Sequence, residues 1–209
     1  HNQWKRERDV RRVIKWNFRE RDYWITLTYP KDYRPTWEEM KDHAGKLVRK
    51  MREKYKKQGW TLKYIYRLAI GSRGGRHIHI LINRESNEKT ATDLIITDLW
   101  EQQWGHGHVN FRTTYSEGGY KQLAEYLTKP LEEWEPDEVK RYHPSRNLIR
   151  KDPEVDEIKR SLVDRDGTPR MPKAPKGYYV DPESIEVGIN PITHYAYRHY
   201  TLIKIKKRE

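Results

Sequence analysis

The sequence predicts an α+β fold in which helices pack on one face of an antiparallel sheet. Short alternating apolar segments, rich in β-branched and aromatic residues, indicate strands. Segments whose apolar residues recur every three or four positions lie between them and indicate helices. A glycine-rich stretch, GSRGG, joins two of the strands as a turn. Together these features predict one sheet that contains a hairpin.

The strands are predicted from alternation and composition. Residues 23–29, YWITLTY, place isoleucine and leucine on one face and threonine on the other, and Pro30 closes the segment. Residues 61–70, TLKYIYRLAI, and residues 76–83, RHIHILIN, are predicted as the two strands of the hairpin. A short strand, HVNFRT, is predicted over 108–113.

The helices are predicted from apolar periodicity and end signals. Thr36 and Glu39 form a capping-box pattern at the start of a helix over 36–57. Its basic side is expected to be a solvated surface and a possible rim for DNA. Further helices are predicted over 90–103 and 117–129, which makes the order β-α-β-β-α-β-α. This order is ferredoxin-like in its broad layout.

Three regions are predicted along the chain. Residues 1–22 read as a charged N-terminal arm, and residues 23–130 as the core. Residues 131–209 are interrupted by prolines and predict an irregular extension packed on the core, with a possible final strand at 195–205. The chain starts at His1 rather than Met, which leaves room for a longer native protein.

The composition favours a nucleic-acid partner. The 209 residues carry 43 Lys and Arg against 31 Asp and Glu, a net charge of +12, with 8 Trp and 15 Tyr. Cysteine is absent, which excludes a disulfide framework and a thiolate zinc site. The sequence predicts no transmembrane helix and no secretory signal, because no apolar run approaches about 18 residues and the first residues lack an apolar core. A basic amphipathic helix for binding a membrane surface is not predicted either.

The third predicted strand contains a His-x-His pattern. His77 and His79 share one face of the strand, with Cα atoms roughly 6–7 Å apart, so both imidazoles could reach one cation. The isoleucines between and after them point to the opposite, apolar face. The alternative is a polar strand face that carries two histidines by chance, because an isolated His-x-His pattern is weak.

The helix over 117–129 separates two tyrosines. Tyr120 falls on the apolar stripe, whereas Tyr126 falls on the opposite stripe with Gln122 and Lys129. The alternative is that Tyr126 is an ordinary exposed tyrosine. A functional role requires this side of the helix to meet the histidine face of the sheet.

Together these segments resemble the HUH endonuclease superfamily, in its Rep-type rolling-circle replication initiator branch. WITLTYP is similar to the opening motif of that family, GRHIHILI to its histidine–hydrophobic–histidine motif, and YKQLAEYLTKP to its Y-x-x-K motif. The resemblance covers about residues 23–130 and implies a ferredoxin-like, RRM-like nuclease layout. It implies that His77 and His79 bind metal, that Tyr126 is the nucleophile and that Lys129 accompanies it.

The chain departs from the family at the third metal ligand. Many relatives have an acidic ligand just upstream of the histidines, but the stretch RLAIGS contains no carboxylate. Gln122 is the first choice instead, similar to the arrangement in single-tyrosine transposases. Glu125, His106 and His108 are the other candidates. Two-tyrosine relatives often have a tyrosine four residues before the first, where this chain has Gln122, so a single nucleophile is expected.

The resemblance implies a metal-dependent endonuclease and strand transferase that nicks a single-stranded or hairpin origin. A covalent 5′-phosphotyrosine and a free 3′-hydroxyl would result, and the 3′ end would prime rolling-circle replication. Imidazole and oxygen ligands suit Mn²⁺, and Mg²⁺ by its abundance. The expected location is the cytoplasm of a bacterial or archaeal host, with a plasmid, phage or virus as the source. The sequence contains no phosphate-binding loop, so a host helicase, as well as a polymerase, is an expected partner.

Side chains near the histidines are candidate DNA contacts by charge and stacking. They are Arg67, Arg73, Arg76, Trp24 and Tyr66. Two alternatives to replication remain: a transposase or conjugative relaxase with the same chemistry, and a non-catalytic nucleic-acid-binding module. The absence of an aromatic-rich RNA-recognition pattern in the sequence counts against the second.

Overall fold

The structure is a computed structural model that describes residues 3–115, 117–137, 139–154, 156–157 and 161–205. It divides into two compact units, His1–Lys151 and Asp152–Glu209. This division differs from the predicted boundaries after residues 22 and 130. The predicted arm and the first part of the predicted extension both belong to the first unit, because their side chains and backbone groups make buried contacts with the sheet, as described below.

The first unit is an α+β structure, which confirms the predicted class. Its elements, in chain order, are α1 (Gln3–Asn17), β1 (Tyr23–Thr28), α2 (Trp37–Lys57), β2 (Tyr64–Ile70), β3 (Arg76–Ile82), α3 (Thr92–Thr97), β4 (Val109–Thr113), α4 (Lys121–Thr128) and β5 (His143–Pro144). A π-helical segment, Asp98–Gln103, continues α3, and a 3₁₀ turn, Glu117–Tyr120, precedes α4.

The described strands of this unit form one five-stranded sheet in the order β4-β1-β3-β2-β5. Neighbouring strands are antiparallel throughout. The order of the first four strands is that of a ferredoxin-like sheet, with β3 at its centre. The predicted hairpin is therefore confirmed, because β2 and β3 pair directly.

Helix α2 begins where the capping box was predicted. The Thr36 hydroxyl accepts a hydrogen bond from the Glu39 amide at 3.2 Å, and the Glu39 carboxylate accepts one from the Thr36 amide at 2.7 Å. These bonds satisfy amides that the first helical turn leaves unpaired. The buried stripe of the helix, Met40, Ala44, Leu47, Met51 and Tyr55, packs on the sheet.

Side-chain alternation gives the sheet two different faces. Ile78, Ile80 and Ile82 of β3 belong to the core under α2 and α3. Leu81 and its neighbour Ile65 point to the other side, where α1 and α4 cover them. The prediction of helices on one face is therefore wrong. Both faces of the central strands carry large apolar residues at this end, and each face must be covered to remove them from water.

Helix α1 corrects the prediction that residues 1–22 form a charged arm. Val10 is 3% exposed and Ile14 is fully buried, and both pack with α4 in the second core. The side chain of Asn17 accepts a hydrogen bond from the Ile149 amide and donates one to the Ile149 carbonyl, each at 2.8 Å. The charged residues of this segment occupy only the outer side of an amphipathic helix.

The predicted helix over 117–129 is interrupted near its start. Tyr120 has a left-handed backbone, with φ of 64°, so the 3₁₀ turn and α4 are separate segments. The helix ends at Thr128, and Lys129 lies just beyond it in a non-helical conformation.

The second unit contains short antiparallel pairs within irregular chain. β6 (Tyr178–Val180) pairs with β9 (Leu202–Lys204), and β7 (Glu186–Ile189) pairs with β8 (Ala196–His199). The predicted final strand is therefore divided between two hairpin strands. In the described part of the chain, no helix combines the length and the apolar character needed to cross a membrane.

Candidate active site

The histidine pair lies on the face of the central strand that α1 and α4 leave partly open. His79 is paired across the sheet with Thr26 on one side and Arg67 on the other, and His77 is paired with Thr28. The centroids of the two imidazole rings are 4.7 Å apart. The strand geometry thus brings together the two side chains that the sequence analysis selected.

Each imidazole is oriented through its Nδ1 atom. His77 Nδ1 lies 3.2 Å from the Gly75 carbonyl oxygen, and His79 Nδ1 lies 3.1 Å from the Thr26 hydroxyl. A carbonyl oxygen can only accept, so His77 carries its proton on Nδ1 and keeps Nε2 as a free lone pair. Metal-binding histidines are held by neighbours in this way.

Both histidines are kept neutral by their surroundings. Burial lowers the pKa of His79 to about 3, and the neighbouring His77 and Arg67 lower it further. Burial also lowers the pKa of His77, against smaller opposing contributions from the Gly75 carbonyl and the Glu135 carboxylate. Neutral imidazoles are the form that binds a metal ion.

Tyr126 lies against this pair. Its ring meets the His79 imidazole edge-on, with centroids 4.7 Å apart, and meets Trp24 edge-on at 5.5 Å. Trp24 in turn stacks on His79 at 5.3 Å with nearly parallel planes. Tyr126 was predicted on the side of the helix opposite the core. It is instead half-buried between α4 and the sheet, because it flanks Leu127, the next residue on the buried side.

The phenol of Tyr126 is protonated at neutral pH. Burial raises its pKa to about 12, the positive charge of Arg67 lowers it, and the Glu135 carboxylate adds to the increase. A reaction that uses the phenolate therefore needs more positive charge than the protein alone supplies here.

Arg67 is an interior residue, which corrects the prediction that it contacts DNA. It is 2% exposed, and its guanidinium donates hydrogen bonds to backbone carbonyls just after and within the end of α4. It also forms a buried ion pair with Glu135, at 3.5 Å. The charge therefore serves the protein's own helix rather than the surface.

The other predicted DNA contacts differ in their accessibility. Tyr66 is 7% exposed and stacks on His143 under the opposite face of the sheet, so its prediction is also corrected. Arg76 points away from the histidines and donates to the Pro35 carbonyl at 3.3 Å. Arg73 lies exposed in the turn before β3, and one face of Trp24 is occupied by His79.

Lys129 lies at the exposed end of α4. Its ammonium pairs with the Glu132 carboxylate, and its side chain is 54% exposed. The ammonium is therefore available to a ligand that displaces Glu132. The cation that lies closest to the Tyr126 ring in the described contacts is Arg67, with Cζ 5.8 Å from the ring centroid.

In the part of the chain that the structure describes, the predicted third metal ligands do not join the histidine pair. Gln122 is exposed, and Glu125 pairs with Lys121 on its own helix at 4.0 Å. His106 stacks on His43, and His108 lies 3.9 Å from Glu101. Among the described residues, no group of three or more histidine, cysteine, aspartate or glutamate side chains is arranged to hold a metal ion.

Sequence reasoning missed Glu135. Its carboxylate is buried, accepts hydrogen bonds from the amides of Ile70 and Glu132 at 3.1 Å each, and pairs with Arg67. The residue lies in a proline-broken segment without periodicity, so no sequence signal marked it. Thr26 was placed on the polar side of its strand but without a role, although alternation put it beside the histidine strand.

An antiparallel sheet whose central strand presents two histidines to a helix-borne tyrosine is the layout implied for a Rep-type replication initiator. The model of one family, described as Replication-associated protein ORF2, matches residues 22–131, just over half of the chain. The chain therefore belongs to this family of rolling-circle replication initiators, and a role in DNA replication and interaction with DNA follow. Comparisons with curated proteins and with solved structures gave no significant match.

Proposed function

We propose that this chain nicks and rejoins single-stranded origin DNA through a covalent 5′-phosphotyrosine on Tyr126 and so starts rolling-circle replication. The observation that supports this proposal is the contact between Tyr126 and His79, with ring centroids 4.7 Å apart. It places a hydroxyl nucleophile beside imidazoles that are neutral and oriented. Membership of a replication initiator family is consistent with it.

The reaction exchanges one phosphodiester bond for another. The Tyr126 oxygen attacks the scissile phosphorus, the bond from phosphorus to the 3′ oxygen breaks, and the phenolic proton leaves the tyrosine. The 3′ oxygen takes up a proton and becomes a free hydroxyl. Because the phosphotyrosine is still an ester of the same phosphate, the reverse reaction joins strands without ATP.

His77 and His79 are the residues that would hold a divalent ion, Mn²⁺ or Mg²⁺. Their Nε2 atoms are the free donors, since each Nδ1 is engaged by Gly75 or Thr26. When bound, such an ion polarises the phosphate as a Lewis acid. Gln122 remains our first choice for an oxygen ligand from the protein. It would have to turn toward the histidines, because it is exposed in the structure.

The charge around Tyr126 explains why substrate binding would matter. Burial disfavours the phenolate and raises the pKa of Tyr126, so added positive charge should promote attack. Lys129 is proposed to contact the scissile phosphate after exchanging its Glu132 partner for a phosphate oxygen. Its position three residues beyond Tyr126, just after α4, allows this contact with a small side-chain movement.

The open part of the sheet face suits a single strand. Beside His79 the same row continues through Thr26 to Asn110 at the exposed edge strand β4. Exposed Arg73 lies in the turn that leads to His77. A duplex would have to melt before a phosphate could reach Tyr126, so a host helicase and a polymerase are proposed partners. We propose the cytoplasm of a bacterial or archaeal host as the place of action.

The proposal is tested by following both ends of a cut strand. A randomised single-stranded DNA library, labelled at either end, is incubated with the protein and Mn²⁺ and separated on a denaturing gel. We expect label from the 3′ end to migrate with the protein and label from the 5′ end to appear in free fragments with a 3′-hydroxyl.

Tyrosine variants identify the nucleophile. Tyr126→Phe should abolish the adduct while retaining DNA binding in a native gel. Tyr120→Phe is the matched control, because Tyr120 is a buried tyrosine just before the same helix, and it should retain the adduct. Absence of any wild-type adduct, or an adduct that survives in Tyr126→Phe, contradicts the proposal. DNA binding without an adduct would favour a non-catalytic binding module.

A further inference from the structure

The ion pair between Arg67 and Glu135 is buried beside the candidate nucleophile. The guanidinium and carboxylate are 3.5 Å apart, and their side chains are 3% and 1% exposed. Such a pair loses hydration on both partners, and apolar residues of similar size often give equal or greater stability. Its place in this chain therefore invites an explanation other than stability.

Arg67 caps the end of the helix that carries Tyr126. Its Nη1 atom donates to the carbonyl oxygens of Tyr126 at 3.2 Å and of Lys129 at 2.7 Å, and Nη2 donates to that of Pro130 at 3.3 Å. The last carbonyls of a helix have no partner within the helix and carry partial negative charge. The guanidinium satisfies several of them at once and also lies against the Tyr126 ring.

Glu135 fixes the guanidinium in turn. One carboxylate oxygen accepts from the Ile70 amide at the end of β2, and the other accepts from the Glu132 amide in the segment after α4. The indole of Trp134 donates to the Ile70 carbonyl at 2.8 Å, which holds the same segment against the strand.

The strand that carries Arg67 also pairs with the histidine strand. Arg67 stands directly opposite His79 in the register between β2 and β3. One residue thus connects the backbone of Tyr126 to the strand beside His79. A displacement of about 1 Å between reacting groups can lower a rate by about 100-fold, so rigid placement has a large effect.

We propose that the Arg67–Glu135 pair is a positioning device that sets Tyr126 against His77 and His79. This inference deepens the proposed nicking function and rests on it. Arg67 is a positioning residue, because it acts through the helix end and is too buried to contact the DNA strand.

The main test replaces both partners together. The variant Arg67→Met with Glu135→Leu removes both charges and keeps similar volume, so it should fold cooperatively. We expect the single-turnover rate of adduct formation to fall about 100-fold, with the DNA dissociation constant changed by less than about threefold. An unchanged rate in a folded double variant overturns the inference.

Two further variants separate positioning from stability and from charge. Leu47→Ala opens a cavity under the other face of the sheet, so it should lower Tm yet retain the wild-type rate well below Tm. Arg67→Lys keeps the charge but loses the planar fork of donors, and its rate should stay low. Full rescue by lysine would mean that charge alone matters and would contradict the positioning role.

A readout without DNA keeps the two proposals distinguishable. The wild-type and Tyr126→Phe gels decide the nicking function, whereas the NMR shift of the His79 imidazole reports how closely the Tyr126 ring approaches it. The double variant should reproduce most of the shift change that Tyr126→Leu causes. If the double variant does not fold, Glu135→Gln is measured in its place. An unchanged His79 resonance overturns the positioning device whether or not the wild type forms an adduct.

Discussion

The ring of Tyr126 meets the imidazole of His79 edge-on, with centroids 4.7 Å apart and planes inclined at 77°. One residue lies on a helix and the other on the central strand, and they meet because Ala124 and Leu127 bury the helix against Ile65 and Leu81. The core packing therefore decides where the candidate nucleophile stands relative to the candidate metal ligands.

Removal of the Thr26 hydroxyl should weaken metal binding. Thr26→Val keeps the shape of the side chain but removes the partner of His79 Nδ1, so the imidazole loses its orientation. We expect Mn²⁺ affinity, measured by calorimetry, to fall about 10-fold to 100-fold. Thr28→Val is the control, because the Thr28 hydroxyl donates to the His108 carbonyl instead, and it should change the affinity little. Equal effects of the two changes would count against the orienting role of Thr26.

Lys129 and its partner should respond in opposite ways. Lys129→Ala should slow adduct formation about 10-fold, because the scissile phosphate loses a nearby cation. Glu132→Gln removes the carboxylate that holds the ammonium, so it should leave the rate equal or slightly higher. The effect on DNA affinity should stay below about fivefold, since exposed ion pairs contribute about 0–1 kcal/mol. Single-turnover rates measured at one salt concentration test this pair, and a wild-type rate in Lys129→Ala would exclude the proposed contact.

Gly107→Ala should destabilise the fold more than Gly105→Ala. At Gly107, φ is 130°, and an added Cβ would lie 2.3 Å from the Thr28 carbonyl oxygen, which also accepts from the Trp100 indole. The expected loss in the free energy of unfolding is about 2–4 kcal/mol.

Gly105 provides the comparison because it also has positive φ, at 61°, but faces open space. Its change to alanine should lose about 1–2 kcal/mol from the backbone conformation alone. Urea unfolding measures both variants. Similar losses would mean that the chain near Gly107 moves away from Thr28 without cost.

Acid should destabilise the protein partly through His106. Burial lowers its pKa to about 4, with further contributions from His43 and Lys46, and its buried Nε2 has no hydrogen-bond partner in the described structure. An unfolded histidine binds its proton near pH 6.5, whereas the folded one does so only near pH 4. The unfolded state therefore holds more protons between these values, and stability falls as the pH drops from about 6.5 to about 4.

Substitution of His106 isolates this contribution. In His106→Gln, the urea midpoint should fall less between pH 7 and pH 4.5 than it does in the wild type, because glutamine does not titrate. His77 and His79 contribute to the acid loss in both proteins and cancel in the comparison. A larger fall in the variant would contradict the assignment.

Local sequence patterns were enough to predict much of the fold. The alternation in β1 and β3, the capping box at Thr36 and the stripe of α2 each depend on residues close together in the chain. The shared face of His77 and His79 follows from the same two-residue period. Motif order then placed Tyr126 in the same site, and the structure brings these side chains together.

The tertiary structure alone decided what the charged residues do. Arg67 looks like a surface contact in the sequence, because its neighbours are histidines and other basic residues. Its actual partners are the carbonyls after α4 and the carboxylate of Glu135, which come from distant parts of the chain. Whether a charge faces water or a buried partner depends on which segments fold over it. A local pattern of residues carries no information about that choice, so the burial of Arg67 and the role of Glu135 emerged only when the helix and the sheet were packed together.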